Sequence, residues 1–249
     1  MLKKRIIPIV QLMENSVVKT VCFENPRQVG DPTATVKVFS ARAVDELVLI
    51  DIGASKNFKT PDFDFISIAA KNCFMPLTIG GGISSFEHAE KIFDVGADKL
   101  LIGSMLHVAP DRVEKVASNY GSQAIVASLD CKLINGEYVT FSFSGCNKSF
   151  TLSEMISRAH DVGVGEICVT SIEHEGVMNG YSIPLLNEII DLTSLPVIIN
   201  GGAGCYEDFL EAFKKGASAT AASSVFFWQG YTNNEIKKSL RHQHIPVTN

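Results

Sequence analysis

Residues 79–98, IGGGISSFEHAEKIFDVGAD, decide the fold, because residues 199–218, INGGAGCYEDFLEAFKKGAS, repeat their pattern about 120 positions later. Both stretches leave an aliphatic run through paired glycines. They then place apolar residues at helical spacing and close on Gly-Ala, where a helix C-cap belongs. A second pair of stretches has the same offset: DELVLIDIGAS from Asp45 is shadowed by GEICVTSIEHEG from Gly165. A strand–turn–helix unit that recurs at half the chain length reads as two matched halves, approximately 1–120 and 121–249.

Working outward, short aliphatic runs alternate with amphipathic stretches along the whole chain. Strands are expected over Arg5–Gln11, Glu46–Asp51, Met75–Ile79, Lys99–Gly103, Ala124–Asp130, Glu166–Ser171, Pro196–Asn200 and Ala219–Ser223. They are apolar on both faces, as buried parallel strands require. Eight such strands separated by helices give an α/β fold, a (β/α)8 TIM barrel with two-fold half-barrel repeat; an open doubly wound sheet is the alternative. Half a barrel would leave bare sheet edges, so residues 1–249 are read as a single domain.

Totals narrow the function. A net charge of −5 leaves no excess of Lys and Arg for a nucleic-acid backbone. No stretch approaches the roughly 18 apolar residues of a membrane span. Pro8, Gln11 and Glu14 cut the first apolar run too short for a signal peptide, so a soluble cytoplasmic protein is expected. Cys22, Cys73, Cys131, Cys146, Cys168 and Cys205 form no C-x-x-C pair and are read as free thiols, with no metal site or cofactor.

In such a barrel the strand ends face the ligand. Gly81 and Gly82 follow strand three, and Gly201 and Gly202 follow strand seven. Strands four and eight run into Ser104 and into Ser223 and Ser224. Glycine amides and hydroxyls in matching register suggest two phosphate sites, one per half, hence a ligand phosphorylated at both ends; tight turns alone are the plain alternative. Asp51 and Asp130 end strands two and five, as acid/base groups or loop orienters. Lys19, Thr170, Glu175 and Gly176 fall in the same zone, Lys19 being otherwise a solvated loop lysine. His174, in the loop after strand six, is read as the only histidine near the mouth, and there as a solvated loop residue.

These residues resemble the cyclase subunits of imidazole glycerol phosphate synthase, the HisF family, over nearly the whole chain. KRIIP, VVKTVCFENPRQVGDP, ELVLIDIGAS, LTIGGGI, ADKLLIGS, GSQAIVASLD, TSIEHEG, NGGAG and SVFF fall in the family's order and spacing. The resemblance implies a heterodimer with a HisH-type glutaminase docked at the strand-start mouth, which supplies ammonia. That ammonia splits a bis-phosphorylated ribulosyl aminoimidazole and closes an imidazole ring, giving imidazole glycerol phosphate and AICAR. A charged ring that gates the ammonia matches Arg5, Glu46, Lys99 and Glu166, with a mere salt-bridge plug as the alternative. Of the family's two catalytic aspartates, Asp130 matches one, whereas Gln11 stands at the other. Gly103, Glu175, Thr20, Met178 and Ser182 also depart from the family's residues.

An amide cannot take up and return a proton near neutral pH. The kept gate and altered floor resemble family paralogues of surface-polysaccharide clusters, which feed ammonia to a separate sugar amidotransferase. A histidine-pathway cyclase and a non-enzymatic scaffold for the glutaminase are the other readings.

Overall fold

The computed structural model describes residues 3–42, 44–54, 57–142 and 149–248. Cys146, at one of the sequence positions noted above, lies outside them. Eight strands form the barrel: β1 (Arg5–Met13), β2 (Leu47–Asp51), β3 (Leu77–Gly80), β4 (Lys99–Ile102), β5 (Ile125–Ile134), β6 (Glu166–Ser171), β7 (Val197–Asn200) and β8 (Ala219–Ala222). Each pairs in parallel with its neighbours, β8 pairs with β1, and β5 pairs with β6, so the sheet closes. The open doubly wound alternative is thereby excluded.

Alternation along each strand splits the core. Ile7 and Ile9 of β1 point to the barrel axis with Val48, Leu101, Val126 and Cys168. Ile6 and Val10 point outward, into the larger core under the helices. Helices Phe86–Asp94 and Tyr206–Lys214 occupy equivalent places after β3 and β7, and short helices Ser104–Val108 and Ser224–Trp228 follow β4 and β8. The 120-residue repeat is therefore a repeat of structure.

Most expected strand bounds shift by one or two residues, because backbone pairing ends a strand rather than its last aliphatic side chain. Two differences are larger. β1 runs on to Met13 and turns through Glu14 and Asn15, both left-handed, into a strand at Ser16–Val21 that pairs with Glu24–Gly30. β5 runs on to Ile134, turns through Asn135 and Gly136, and pairs with Glu137–Phe141. Both are two-residue hairpins whose φ angles match the twist of the flanking strands. The stretch after β1, read as a loop, is thus a hairpin.

Barrel register settles which residues are equivalent. Gln11 pairs with Ile50, and Asp130 pairs with Thr170, which lies 120 positions after Ile50. Gln11 and Asp130 are mates across the two halves.

Candidate functional site

At the strand starts, four side chains converge from β1, from the residue before β2, from β4 and from β6. Arg5 Nη1 donates to Glu46 Oε2 at 2.7 Å, and its Nη2 pairs with Glu166. Lys99 Nζ donates to Glu166 Oε1 at 2.7 Å and Glu46 Oε2 at 3.1 Å. Thr78 Oγ1 supplies Glu46 Oε1 at 2.7 Å. Every charge in the ring meets two of the opposite sign, which is what makes partial burial tolerable. Burial acts to raise the Glu166 carboxyl, but the bonds and charges of Arg5 and Lys99 outweigh it and hold it below the ordinary range. Burial likewise opposes the Arg5 charge, and Glu166 and Glu46 reverse that, raising its pKa.

Above the ring the axis is narrow. A void of about 10 Å³ is lined by Glu46, Thr78, Ile9, Leu101 and Cys168 among others. Ile9, Leu101 and Cys168 also line the next cavity, of about 220 Å³, at the strand ends. The ring and the mouth thus share one continuous interior wall.

The mouth cavity brings together Gln11, Asp51, Gly81, Ser104, Asp130 and Thr170. Desolvation pushes the Asp130 carboxyl up to about 7, against a hydrogen bond from Thr170 that lowers it, with the charge of Glu175 adding to the rise. Thr170 in turn accepts from Asn200 Nδ2 at 3.1 Å, so an Asn–Thr–Asp chain orients the carboxyl. A carboxyl held near neutrality is poised to give or take a proton. Asp51 Oδ1 accepts from Gly53 N at 2.9 Å and Ala54 N at 3.0 Å, and the residue also borders the cavity.

Around β6 to β8, Gln11, Glu175, Gly176, Gly201, Gly202, Ser223 and Ser224 surround a smaller void of about 20 Å³. The two expected phosphate sites therefore differ in room: the one at Gly81 and Ser104 borders the cavity of about 220 Å³, and its mate borders only the void of about 20 Å³. Lys19 reaches a residue that lines the smaller one, Ser223. It is buried on the Ser16–Val21 strand, not solvated in a loop, with Nζ bonded to Ser223 Oγ and lying 4.5 Å from the centre of the Phe227 ring. Burial pushes the Lys19 amine down to about 7, with Glu175 opposing.

Glu175 was expected among the ligand-binding residues, yet protein donors occupy both of its oxygens. Oε1 accepts from Thr20 Oγ1 at 2.9 Å and Gln11 Nε2 at 3.1 Å, and Oε2 accepts from Phe23 N at 3.1 Å. It pins the first hairpin to the barrel. Gly82 is set back: a Cβ there would lie 2.8 Å from the Lys59 carbonyl oxygen. At Gly202 a Cβ would lie 2.0 Å from the Gly180 carbonyl oxygen at φ +114°, so the fold itself demands glycine whatever the ligand.

His174 Nδ1 lies 2.8 Å from Ser171 Oγ. His174 is not the only histidine on the mouth side: His107, buried in Ser104–Val108, lies 3.3 Å from both Gly103 O and Thr140 Oγ1. Thr20, Ser128, Phe141 and Asn200 also border the mouth without having been assigned to it. Asn200 was legible as the residue after three aliphatics that ends β7. Phe141 was reachable through Asn135-Gly136, a strong hairpin signal. Among the described residues, no group of three His, Cys, Asp or Glu is placed to hold a metal, and no helix is long and apolar enough to cross a membrane.

The model of the histidine biosynthesis protein family matches residues 5–232. The chain is 38% identical over 247 residues to imidazole glycerol phosphate synthase subunit hisF2 of Campylobacter jejuni, a provisional name, covering 99% of both chains. It is 38% identical over 248 residues to subunit HisF of a Thermotoga species, covering 99% of this chain and 98% of that one. Against the provisionally named hisF2 of Pseudomonas aeruginosa it is 38% identical over 233 residues, with 92% and 93% covered. With the closed barrel and its strand-end cavity already in view, these matches make the chain a member of the histidine biosynthesis protein family, on the branch of the HisF subunits of imidazole glycerol phosphate synthase.

Proposed function

We propose that this chain is the HisF-type subunit of a cytoplasmic glutamine amidotransferase, diverged from the cyclase. It takes ammonia from a HisH-type glutaminase at the strand-start face and passes it along the barrel axis. A separate amidotransferase then uses that ammonia on a surface sugar. The observation that carries the reading is the side chain at position 11. Gln11 donates to Glu175 and Thr20 through Nε2, and an amide in that place returns no proton. Loss of a positioned acid/base costs about 10²- to 10⁴-fold in rate, roughly 3–5 kcal/mol of barrier. The ring of Arg5, Glu46, Lys99 and Glu166, by contrast, is complete, and the interior wall leads from it to the mouth.

Turnover decides the matter. Purified protein is given ammonium and the bis-phosphorylated ribulosyl aminoimidazole, and imidazole glycerol phosphate is measured. Little or no product is expected, with a rise of at least about 10²-fold in Gln11→Asp. Turnover at the level of an ordinary cyclase would sink the proposal. In the complex with the glutaminase, Lys99→Ala is expected to uncouple glutamine hydrolysis from nitrogen transfer; unaffected transfer would rule out a gating role.

One observation favours a second reading, an active cyclase of histidine biosynthesis. Asp130, pushed up to about 7, is able to serve as both acid and base without a partner on β1. The same turnover assay separates the two.

A further inference from the structure

Arg5 reaches two glutamates at once, Glu46 from the residue before β2 and Glu166 from β6, so the start of β1 has to be held in place. The β-ladder holds it on one side. Residues 5–8 pair with β8, whereas among the described residues the pairing of β1 with β2 begins at Ile9 and Val48. Leu12 O accepts from Ile52 N, so the even-numbered residues of β1 turn their backbone groups to the β2 edge. Lys4 and Ile6 therefore face an edge that β2 does not cover, and Pro8 has no N–H to offer there.

Other parts of the chain fill that edge. Lys4 N donates to Pro246 O at 2.7 Å and Lys4 bridges to Val247, so residues 246–248 lie beside β1 where β2 has not yet begun. Ile6 N donates to Asp45 Oδ2 at 3.0 Å, and Ile6 O accepts from Asn233 Nδ2 at 2.9 Å. Side chains thus do at Ile6 what the ladder does further along β1. Asn233 and Lys237 stand one turn apart on the helix Asn233–His242. Lys237 Nζ and Thr248 Oγ1 both bond Asp45 Oδ1. The Asp45 side chain is 5% exposed and that of Lys237 1%, so solvent screens this pair little.

We propose that Asp45 and Asn233 are positioning residues of the charged ring, holding the start of β1 so that Arg5 meets Glu46 and Glu166 together. Asp45 is the chain neighbour of Glu46 and bonds the chain neighbour of Arg5, so one carboxylate sets the spacing of two ring members. Lys237 and Thr248 hold that carboxylate in turn. Arg5 depends on such support, because a guanidinium is a rigid planar fork. A small displacement of its strand takes it off one glutamate. The consequence for ammonia rests on the delivery reading, whereas the ring geometry does not.

Two double variants separate position from charge. Asp45→Leu with Lys237→Met removes the buried ion pair and the acceptor for Ile6 N. Asp45→Asn with Lys237→Met removes the same two charges but keeps an acceptor. Exchanging a buried pair for uncharged side chains of similar size is often neutral for stability, so both chains are expected to fold. Against burial, the bonds and charges of Arg5 and Lys99 hold the Glu166 carboxyl low, so its titration reports where Arg5 stands. That titration is followed by ¹³C NMR on the labelled chain. With Asp45→Leu the Glu166 midpoint is expected to rise toward the ordinary carboxylate range; with Asp45→Asn it is expected to stay at the native position. Asn233→Ala, which keeps the ion pair, is expected to give a smaller rise. An unchanged midpoint with Asp45→Leu overturns the proposal, and if that chain does not fold, an unchanged midpoint with Asn233→Ala does so. An equal rise in both doubles also overturns it, since the lost charges and not the bond to Ile6 would then set the ring. In the complex with the glutaminase, the Asp45→Leu double is expected to lose the coupling of glutamine hydrolysis to nitrogen transfer. A raised midpoint with coupling kept supports the positioning role and removes the delivery reading. An unchanged midpoint while Lys99→Ala still uncouples transfer removes the positioning role alone.

Discussion

At the strand starts Arg5, Glu46, Lys99 and Glu166 satisfy one another in a closed ring, whereas at the strand ends Asp130 and Lys19 are held by neutral hydroxyls, those of Thr170 and Ser223, and Gln11 keeps a buried oxygen without a hydrogen-bond partner. Asp130 is pushed up to about 7 and Lys19 down to about 7, both by desolvation first. The contrast teaches where the fold tolerates unmet polarity. One end neutralises charge as completely as its geometry permits; the other retains groups whose protonation or bonding is open to change, which is the usual mark of a working site.

The largest test removes a member of the ring. Glu46 is 2% exposed and accepts from Arg5, Lys99 and Thr78, so Glu46→Ala leaves two cations sharing Glu166 alone. A loss of about 3–5 kcal/mol in urea unfolding is expected. A loss below about 1 kcal/mol would mean that water already screens the ring, and the contrast between the two ends would fail.

Next comes the pH dependence of the mouth. Asp130 keeps its proton in the folded chain up to about pH 7, while its ordinary value is 3.8. Between those values the unfolded chain has lost a proton that the folded chain retains, so this group makes stability fall as pH rises. Lys19, ordinarily 10.5, loses its proton at about 7 in the folded chain, so between 7 and 10.5 it makes stability rise with pH. The two costs coincide near neutrality. The double variant Asp130→Asn, Lys19→Met is therefore expected to be more stable than the native chain, by on the order of 2 kcal/mol near pH 7. The gain should shrink toward pH 4 and toward pH 10. A flat difference across pH would show that neither group is held away from its ordinary value.

A smaller effect sharpens the description of the mouth. Thr20→Val removes one of the donors to Glu175 and leaves Gln11 and Phe23 in place. About 1 kcal/mol of stability should be lost, with greater exchange of the amides in Ser16–Val21. No change in exchange would remove Glu175 as the pin of the hairpin.

The barrel was legible because its signals are local. Paired glycines leaving an aliphatic run, followed by helical spacing, are set by neighbours in the chain, and their recurrence 120 residues on needs no tertiary knowledge. The hairpins were harder. Asn135-Gly136 carries a recognisable turn signal, but Glu14-Asn15 has no glycine, and only the pairing of Gln11 and Leu12 with Val18 and Val17 reveals it. The places of Arg5, Glu46, Lys99 and Glu166 at strand starts followed from the strand pattern. The inward turn of Glu175 and the self-capping of Asp51 did not, since a carboxylate in a loop reads the same whether it faces ligand or backbone.

By itself the sequence determined the alternation of strands and helices, the two-fold repeat, the charges at one end of the barrel and the amide at position 11. Those depend on residue order and side-chain chemistry. Tertiary structure alone decided that Lys19 is buried against Ser223, that one glycine-lined site is roomy and its mate small, and that Gln11 turns its nitrogen to Glu175. Each of these joins residues more than 150 positions apart in the chain or compares loops set by such contacts. No local preference encodes a partner at that distance; closure of the barrel brings it into reach.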